Sequence, residues 1–342
     1  MITIKKYNDK LINEWDSFVE KSNNGTIFHK QKFLAYHQHR KYKNCSIIIE
    51  YSEQIIALIP GAEIIKNNKK YFHSHPGSSY GGIVTKHNVA FKLINELIIA
   101  LEQYLKQNGF ANIFLINSPK IYYSAPNDSL DYLLQWNKYE QLENYISHAV
   151  DLNRTNSINQ LLSKRKYRYL QNNKLLQDIK FKKLWGVKDF CEVELFYNIL
   201  KISKKEYDVK PTHSLNELIV LLKLFSKEIE LYITLHDNKI IGGYLIMHAN
   251  TTASIIFYNV IINKATYKQV AMLQLYHSMK LAKQKKQLYV DFGVSHIPTN
   301  TNPLEPKFSL IQFKEQFGAV GVQRTAYYKN LLTGNNPQSL NQ

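Results

Sequence analysis

The apolar and polar positions of the 342-residue chain repeat one order of elements twice. Residues 47–58 and 231–243 each contain two apolar runs around a short polar turn, which predicts two β-hairpins. After each hairpin comes more strand, then one amphipathic helix, then another strand. The helices are predicted at 88–107 and 266–285, and the strands after them at Asn112–Asn117 and Leu288–Phe292.

A helix that crosses between neighbouring strands of one sheet requires those strands to run parallel. The pattern therefore predicts the α/β class, as an α+β mixed sheet built from two tandem copies of one unit. We expect an N-terminal lobe over 1–150 and a C-terminal lobe over 151–332. Residues 333–342 contain too little apolar surface to fold and are predicted to be a flexible tail.

The net charge of the chain indicates a class of binding partner. The chain has 44 Lys+Arg against 27 Asp+Glu, a net charge of +17. This excess is typical of proteins that bind polyanions such as RNA, nucleotides or an anionic membrane surface, although a Lys-rich composition that only maintains solubility gives the same number. The segment Lys164–Lys183 has the densest basic charge, and Arg165 and Arg168 share a face of its predicted helix.

The N-terminal sequence, the length of the apolar runs and the cysteines bear on the subcellular location of the protein. The N-terminus has no apolar core of signal-peptide length, and no apolar run approaches the length of a membrane span. We therefore expect a cytoplasmic protein, with peripheral contact to the inner membrane face left open. Cys45 and Cys191 stand among apolar neighbours, which predicts two buried thiols in a reducing compartment.

The main candidate catalytic residues lie near the C-terminus. There, a strand ending in Asp291-Phe292-Gly293 precedes a polar loop and Phe313-Lys314. This order predicts a buried-side lysine beside a sheet edge, where acyl transfer needs a cation against developing negative charge. Asp291 ends a strand at the position where α/β sheets bind ligands. It is a candidate proton acceptor or a cap for the following loop, and His296 is the second candidate base.

Several short motifs, each weak alone, occur together in one order along the chain. They are Trp15-x-x-Phe18, Gly25–His29, Tyr80–Val84, Ser163–Arg168, Asp291-Phe292-Gly293 and Phe313-Lys314-x-x-Phe317-Gly318. In this order the chain resembles the FemAB-like Fem family of the GNAT-like acyltransferase superfamily. Members transfer aminoacyl groups from aminoacyl-tRNA to the peptide amine of cell-wall precursors, and relatives occur in polysaccharide gene clusters.

The resemblance implies two tandem GNAT-like lobes, a cell-envelope role in peptidoglycan or polysaccharide biosynthesis, and an acceptor held between the halves. It implies a phosphorylated acceptor, either a nucleotide sugar or a lipid-linked precursor, and aminoacyl-tRNA or acyl-CoA as co-substrate, with no bound cofactor and no metal. Lys314 would stabilise the oxyanion and Asp291 would assist the amine. The candidate substrate-binding residues are Tyr80, Phe313, Lys205, Arg165, Arg168 and His296.

Two departures from the family pattern affect the substrate. The family's phosphate-binding Trp-x-x-Lys is replaced by Phe33–Tyr36, and an Arg-Asp pair is replaced around Lys204-Lys205-Glu206. Both argue against a standard peptidoglycan precursor. The Gly-rich pyrophosphate loop of CoA-dependent enzymes is absent at 85–89 and 263–271, which leaves ordinary acetyl-CoA binding unsupported.

The alternative function is a non-catalytic RNA- or envelope-binding module on a degenerate GNAT-like fold. His73-Ser74-His75 lacks the further ligands that a metal site requires.

Overall fold

The structure, a computed structural model, describes residues 1–37, 42–206, 208–267, 269–296, 302 and 304–332. The chain divides into two compact units, Met1–Asn144 with the chain from Arg324 onward, and Tyr145–Gln323. The predicted tail at 333–342 lies outside the described residues.

In its described residues, the first unit is built from short strands and four α-helices. Its strands are β1 (Ile2–Lys6), β2 (Lys43–Asn44), β3 (Ile47–Tyr51), β4 (Gln54–Ile59), β5 (Ala62–Lys66), β6 (Lys69–His73), β7 (Val84–Thr85), β8 (Phe110–Ile116) and the start of β9 (Glu140–Asp151). Its helices are α1 (Ile12–Lys21), α2 (Gln31–Leu34), α3 (Phe91–Gln107) and α4 (Ser129–Trp136).

The second unit has longer strands and holds the rest of β9. Its further strands are β10 (Lys180–Leu184), β11 (Ile229–His236), β12 (Lys239–His248), β13 (Ala253–Ile261), β14 (Tyr289–Val294) and the start of β15 (Val320–Asn330), which ends in the first unit. Its helices are α5 (Lys164–Asn172), α6 (Lys174–Gln177), α7 (Phe190–Lys205), α8 (Leu215–Leu224), α9 (Val270–Gln284) and α10 (Phe308–Glu315).

Both predicted hairpins are present, as β3–β4 and β11–β12. Their turns are the residue pairs Ser52-Glu53 and Asp237-Asn238, and all four residues have positive φ, between 48° and 64°. Turns of this hand match the twist of the flanking strands. The polar residues in the sequence therefore predicted both hairpin turns correctly.

The crossover prediction is also confirmed in each unit. The chain runs from β6 through α3 to β8, which pairs parallel with β6, and α9 links β13 to its parallel partner β14. Both helices begin later than predicted, at Phe91 and Val270, because the residues before them are not helical: Asn88 has a φ of 55°, Ala90 is extended, and Gln269 has a φ of −109°. The buried face of α3 has helical spacing and consists of Ile94, Leu97, Ile98, Leu101 and Leu105.

The strand ladders of the two units differ at one break. In the second unit the ladder runs β10-β11-β12-β13-β14-β9 without interruption. In the first unit Pro60 and Gly61 separate β4 from β5, so β1-β3-β4-β7 form a sheet apart from β2-β5-β6-β8. Proline cannot donate to a ladder, and a Cβ on Gly61 would lie 2.3 Å from the Phe72 ring.

Each unit buries an apolar core of its own, formed mainly by the sheet and the crossover helix. Cys45 is buried as expected, but the prediction for Cys191 is wrong because this thiol is exposed. It lies off the face of α7 that buries Val193, Phe196 and Leu200. Among the described residues, none of the helices has the length and apolar character that a membrane crossing requires.

Candidate functional site

The candidate site is centred on the end of β14. The parallel ladder between β13 and β14 stops at the pair Ile255–Asp291, and β14 then shifts register against β9 before Val294. Gly293 lies in this shift with φ of 76°, a conformation that glycine adopts without strain. The resulting bulge directs the carbonyl oxygens of Gly293 and Val294 to one cation.

That cation is Lys314, near the end of α10. Its side chain is buried, with a residue exposure of 4%. Nζ donates to Gly293 O at 2.7 Å, to Val294 O at 2.8 Å and to Ser295 Oγ at 2.9 Å. Burial lowers the pKa of this ammonium from 10.5 to about 8, while the negative charge of Asp291 acts in the opposite direction. Lys314 is therefore mainly charged at neutral pH, and its three donors are all engaged.

Asp291 is fully buried, and its Oδ1 accepts the backbone N–H of Gly293 at 2.7 Å. This bond corresponds to the capping role that the sequence left open, because it holds the bulge in shape. The same carboxylate supports the charge of Lys314. The carboxylate and the lysine predicted from the sequence therefore belong to one local arrangement.

Ser295 and His148 extend this arrangement, and the sequence did not predict their pairing. Ser295 Oγ lies 2.9 Å from Nδ1 of His148, which is on β9, and both residues are buried. Burial, and then the charge of Lys314, lower the pKa of His148, and Glu315 and Asp291 oppose this shift. A contact between residues 147 positions apart leaves no local sequence signal.

His296, the second candidate base, is buried directly after β14. Its ring stacks on Tyr145 with 4.3 Å between centroids and 19° between planes. The residues that follow it, 297–301, lie outside the described part of the chain. The structure thus brings His296 to the same strand end as Lys314.

Phe313 lies half-buried beside Lys314 and contacts Phe317, with ring centroids 5.4 Å apart. Its ring faces the ammonium of Lys166 at 5.1 Å. Lys166 is buried, donates to Oε1 of Gln269 at 3.1 Å, and has a pKa lowered by burial and then by Arg165. The sequence placed Lys166 only in a basic stretch, although it connects α5 to the start of α9.

The basic segment separates into two groups. The helix predicted in this segment is interrupted, because α5 ends at Asn172 and α6 is a single short turn. Arg165 and Arg168 are exposed on α5 and line a shallow depression of about 570 Å³. Two lysines on β10 are instead engaged with carboxylates, as Lys182–Glu192 at 2.8 Å and Lys183–Glu230 at 2.7 Å.

Tyr80 belongs to the first unit and is almost fully buried, with an exposure of 2%. Its ring contacts Phe28 and Tyr122, at 5.5 and 5.1 Å between centroids, and the guanidinium of Arg324 lies 5.3 Å from it. A Cβ at the neighbouring Gly82 would lie 2.3 Å from Oδ1 of Asn117. That glycine therefore lets the loop of Tyr80 lie against the end of β8.

Two further pockets lie in the second unit. Lys205 is exposed at the end of α7 and, with Lys201, Lys210 and His213, lines a pocket of about 550 Å³. A pocket of about 750 Å³ is bounded by α7, residues 257–261 of β13 and the start of α9, and includes Lys204. Within the described residues, no group of three or more metal-ligating side chains could hold a metal ion.

Solved structures with the same fold include FemX, a tandem GNAT protein and L-PGS. FemX superimposes with a TM-score of 0.71 at 12% identity, over 95% of this chain and 96% of that one. A tandem GNAT protein from the clavulanic acid biosynthesis pathway gives 0.52 at 7% identity, over 98% and 100%. L-PGS from Bacillus licheniformis gives 0.57 at 14% identity, over 94% and 91%.

No protein-family profile matches the sequence, and no curated protein matches it. At these identities the likeness concerns the fold: the chain has the tandem GNAT-like fold of which FemX is an example. The comparisons confirm the predicted fold class, and they confirm the predicted resemblance to FemAB-like proteins as a likeness of fold.

Proposed function

We propose that the protein is an acyltransferase that joins an acyl or aminoacyl group to an amine. The observation that carries the proposal is the buried ammonium of Lys314, held at the bulge of β14 beside Asp291. A fixed cation in a poorly hydrated place stabilises a developing oxyanion far more than the same charge does in water. It is also costly to bury.

In the proposed reaction the amine attacks the carbonyl carbon, a C–N bond forms and the carbonyl oxygen becomes negative. Collapse of this intermediate breaks the C–O bond of an ester or the C–S bond of a thioester. Of the three acceptors on Lys314, only Ser295 Oγ belongs to a rotatable side chain. The substrate oxygen would take its place, and Asp291 would accept or orient the proton that the amine loses.

The pocket beside β13 supports a donor with a phosphate-bearing carrier. It has a volume of about 750 Å³ and begins beyond the point where β13 and β14 stop pairing. Lys204 and Lys264 lie at its wall; burial lowers the pKa of Lys204, and Lys264 is ion-paired with Glu206. We keep aminoacyl-tRNA and acyl-CoA as the two donor classes, because lysines can bind the phosphates of either.

The proposed acceptor is an amine on a phosphorylated cell-envelope precursor: a nucleotide sugar, a surface glycan on a lipid carrier or a cell-wall precursor. The lysines around Lys205 favour a phosphate group. FemX and L-PGS, which share the fold, are consistent with an envelope role. We propose that the enzyme works in the cytoplasm, with peripheral contact to the inner membrane face when the acceptor is lipid-linked.

A non-catalytic RNA- or envelope-binding module is the second candidate. The exposed Arg165 and Arg168 favour it, because they form a depression that could contact phosphates without any transfer chemistry. In that case Lys314 would serve only to satisfy backbone carbonyls.

The test is group transfer from labelled acetyl-CoA and from labelled aminoacyl-tRNA to amine-bearing nucleotide sugars. We expect one donor to be consumed with amide formation, and Lys314→Met to slow transfer by about 10²–10³-fold while the fold persists. Leu134→Met, a buried change in the first unit, serves as the control. Transfer by Lys314→Met at the wild-type rate would contradict the mechanism, and no transfer from either donor would favour the binding module.

A further inference from the structure

Lys314, Ser295 and His148 form a hydrogen-bonded chain that starts at a group that can only donate. An ammonium can only donate, so Ser295 Oγ accepts from Lys314 at 2.9 Å. The single hydroxyl hydrogen of Ser295 can then be donated to Nδ1 of His148, also at 2.9 Å, when that nitrogen is unprotonated. In that arrangement Nδ1 carries no proton and His148 is neutral, which agrees with the lowering of its pKa by burial and by Lys314.

We propose that His148 and Ser295 are positioning residues for Lys314, and that the enzyme is active only while His148 is neutral. The proposal rests on the acyltransferase function proposed above. Neutral His148 accepts the hydroxyl hydrogen, which turns the oxygen lone pairs of Ser295 towards Lys314. The ammonium is thereby held at the bulge until a substrate oxygen replaces Ser295 Oγ.

Protonation of His148 would reverse the chain. An imidazolium donates from both nitrogens, so Ser295 Oγ would face two cations and its own hydrogen would lose its acceptor. The charged groups that face His148 are Lys314 and Glu315 from α10 and Asp291 from β14. Burial and Lys314 outweigh the two carboxylates, and the pKa of His148 lies below its ordinary value of 6.5.

The pKa of His148 determines whether activity is lost at low or at high pH. Because the pKa of His148 lies below its ordinary value, protonation of its ring, and with it the loss of activity, should occur on the acid side. A purely structural histidine would also affect activity when replaced. It would not, however, determine where the acid limb of the pH–rate profile lies.

Two substitutions separate these roles in the full chain. His148→Asn offers an amide oxygen to the Ser295 hydroxyl and does not titrate, so turnover at pH 7.5 should stay within a few-fold and the acid limb should move or vanish. His148→Leu offers no acceptor, and turnover should fall about tenfold, the effect of one hydrogen bond. In a Ser295→Ala background, His148→Leu should cause no further loss.

A measurement independent of activity is a histidine NMR titration, in which the signal absent from His148→Asn identifies His148. We expect titration below pH 6.5 in the wild type and a higher midpoint in Lys314→Met, where the neighbouring positive charge is gone. An unchanged midpoint in Lys314→Met, or an acid limb retained by His148→Asn, would overturn the proposal. If no donor supports transfer, the proposed function fails, and the titration alone decides whether His148 is coupled to Lys314.

Discussion

The two units use the same connection between crossover helix and strand, but they end that strand differently. Each connection has one left-handed residue after the helix, Gly109 with φ of 77° and Lys286 with φ of 60°. Seven residues further on, the matching strand positions are Ile116 and Gly293. Ile116 continues a regular ladder with β15, whereas Gly293 lies in a bulge.

Neutral groups satisfy the backbone of Ile116 in the first unit. Its N–H donates to Ser74 Oγ at 2.8 Å, and its carbonyl accepts the N–H of Gly81 at 2.8 Å. These partners belong to the loop that follows β6. The end of β8 is thus closed by ordinary loop hydrogen bonds, without any charged side chain at these two atoms.

Charged groups satisfy the matching backbone atoms in the second unit. The N–H of Gly293 donates to the Asp291 carboxylate at 2.7 Å, and its carbonyl accepts from the Lys314 ammonium at 2.7 Å. Since the first unit meets the same need with neutral groups, the buried charges are not a requirement of the fold. This difference is the physical reason to assign the chemistry to the second unit.

The helices before β9 and β15 show the same contrast. α4 and α10 are each followed by a left-handed residue, Lys138 with φ of 63° and Gly318 with φ of 76°. Four residues before it stand Leu134 and Lys314 respectively, and both are buried. The first unit therefore provides an apolar counterpart for the proposed catalytic lysine.

Substitutions at Leu134 and Lys314 should differ most in their effect on turnover. Lys314→Met removes the cation while keeping a long apolar chain, and we expect turnover to fall by about 10²–10³-fold, as for loss of one oxyanion donor. Leu134→Met in the first unit should leave turnover unchanged and destabilise the fold by less than about 1.5 kcal/mol. Steady-state kinetics and urea unfolding of both variants check this, and equal losses of turnover would remove the distinction between the units.

The next effect concerns Asp291, whose counterpart five residues after Gly109 is Phe114. Asp291→Asn keeps an oxygen for the N–H of Gly293 but removes the charge, so we expect about a 10²-fold loss of turnover from the lost proton acceptor. The pKa of Lys314 should also fall below about 8, because Asp291 raises it. Phe114→Leu is the control, and a pH–rate profile unaltered in Asp291→Asn would contradict the assigned role.

A stability measurement tests the buried charge without any substrate. The pKa of Lys314 is about 8 in the folded chain against 10.5 as its ordinary value. Between these pH values the unfolded chain binds more protons, so the free energy of unfolding should rise with pH relative to Lys314→Met. At about 1.4 kcal/mol per pKa unit, the gain is about 3 kcal/mol in total, and urea unfolding at pH 7.5 and 10.5 measures it. A difference between the two proteins that does not change with pH would show that the ammonium is well hydrated.

The sequence predicted the elements that depend on local pattern. Polar turn residues marked the hairpins, helical spacing marked α3 and α9, and the lysine between Phe313 and Phe317 marked a buried-side charge. Long-range contacts had no such signal: His148 meets Ser295 only because β9 pairs with β14. The bulge was equally hidden, since a glycine after Asp291-Phe292 is compatible with a strand, a turn or a bulge.

The smallest expected effect compares surface charge in the two units. Arg165→Gln with Arg168→Gln removes two exposed cations from α5, whereas Lys66→Gln with Lys69→Gln removes the same charge from the first unit. If α5 contacts phosphates, only the first pair should weaken binding of a tRNA mixture, by about tenfold. The slope of the logarithm of the binding constant against the logarithm of the salt concentration should become shallower by about 0.7–0.9 for each lost contact. Fluorescence anisotropy at several salt concentrations measures both quantities. Equal losses from the two pairs would mean that the net charge of the chain, rather than a phosphate site on α5, attracts the RNA.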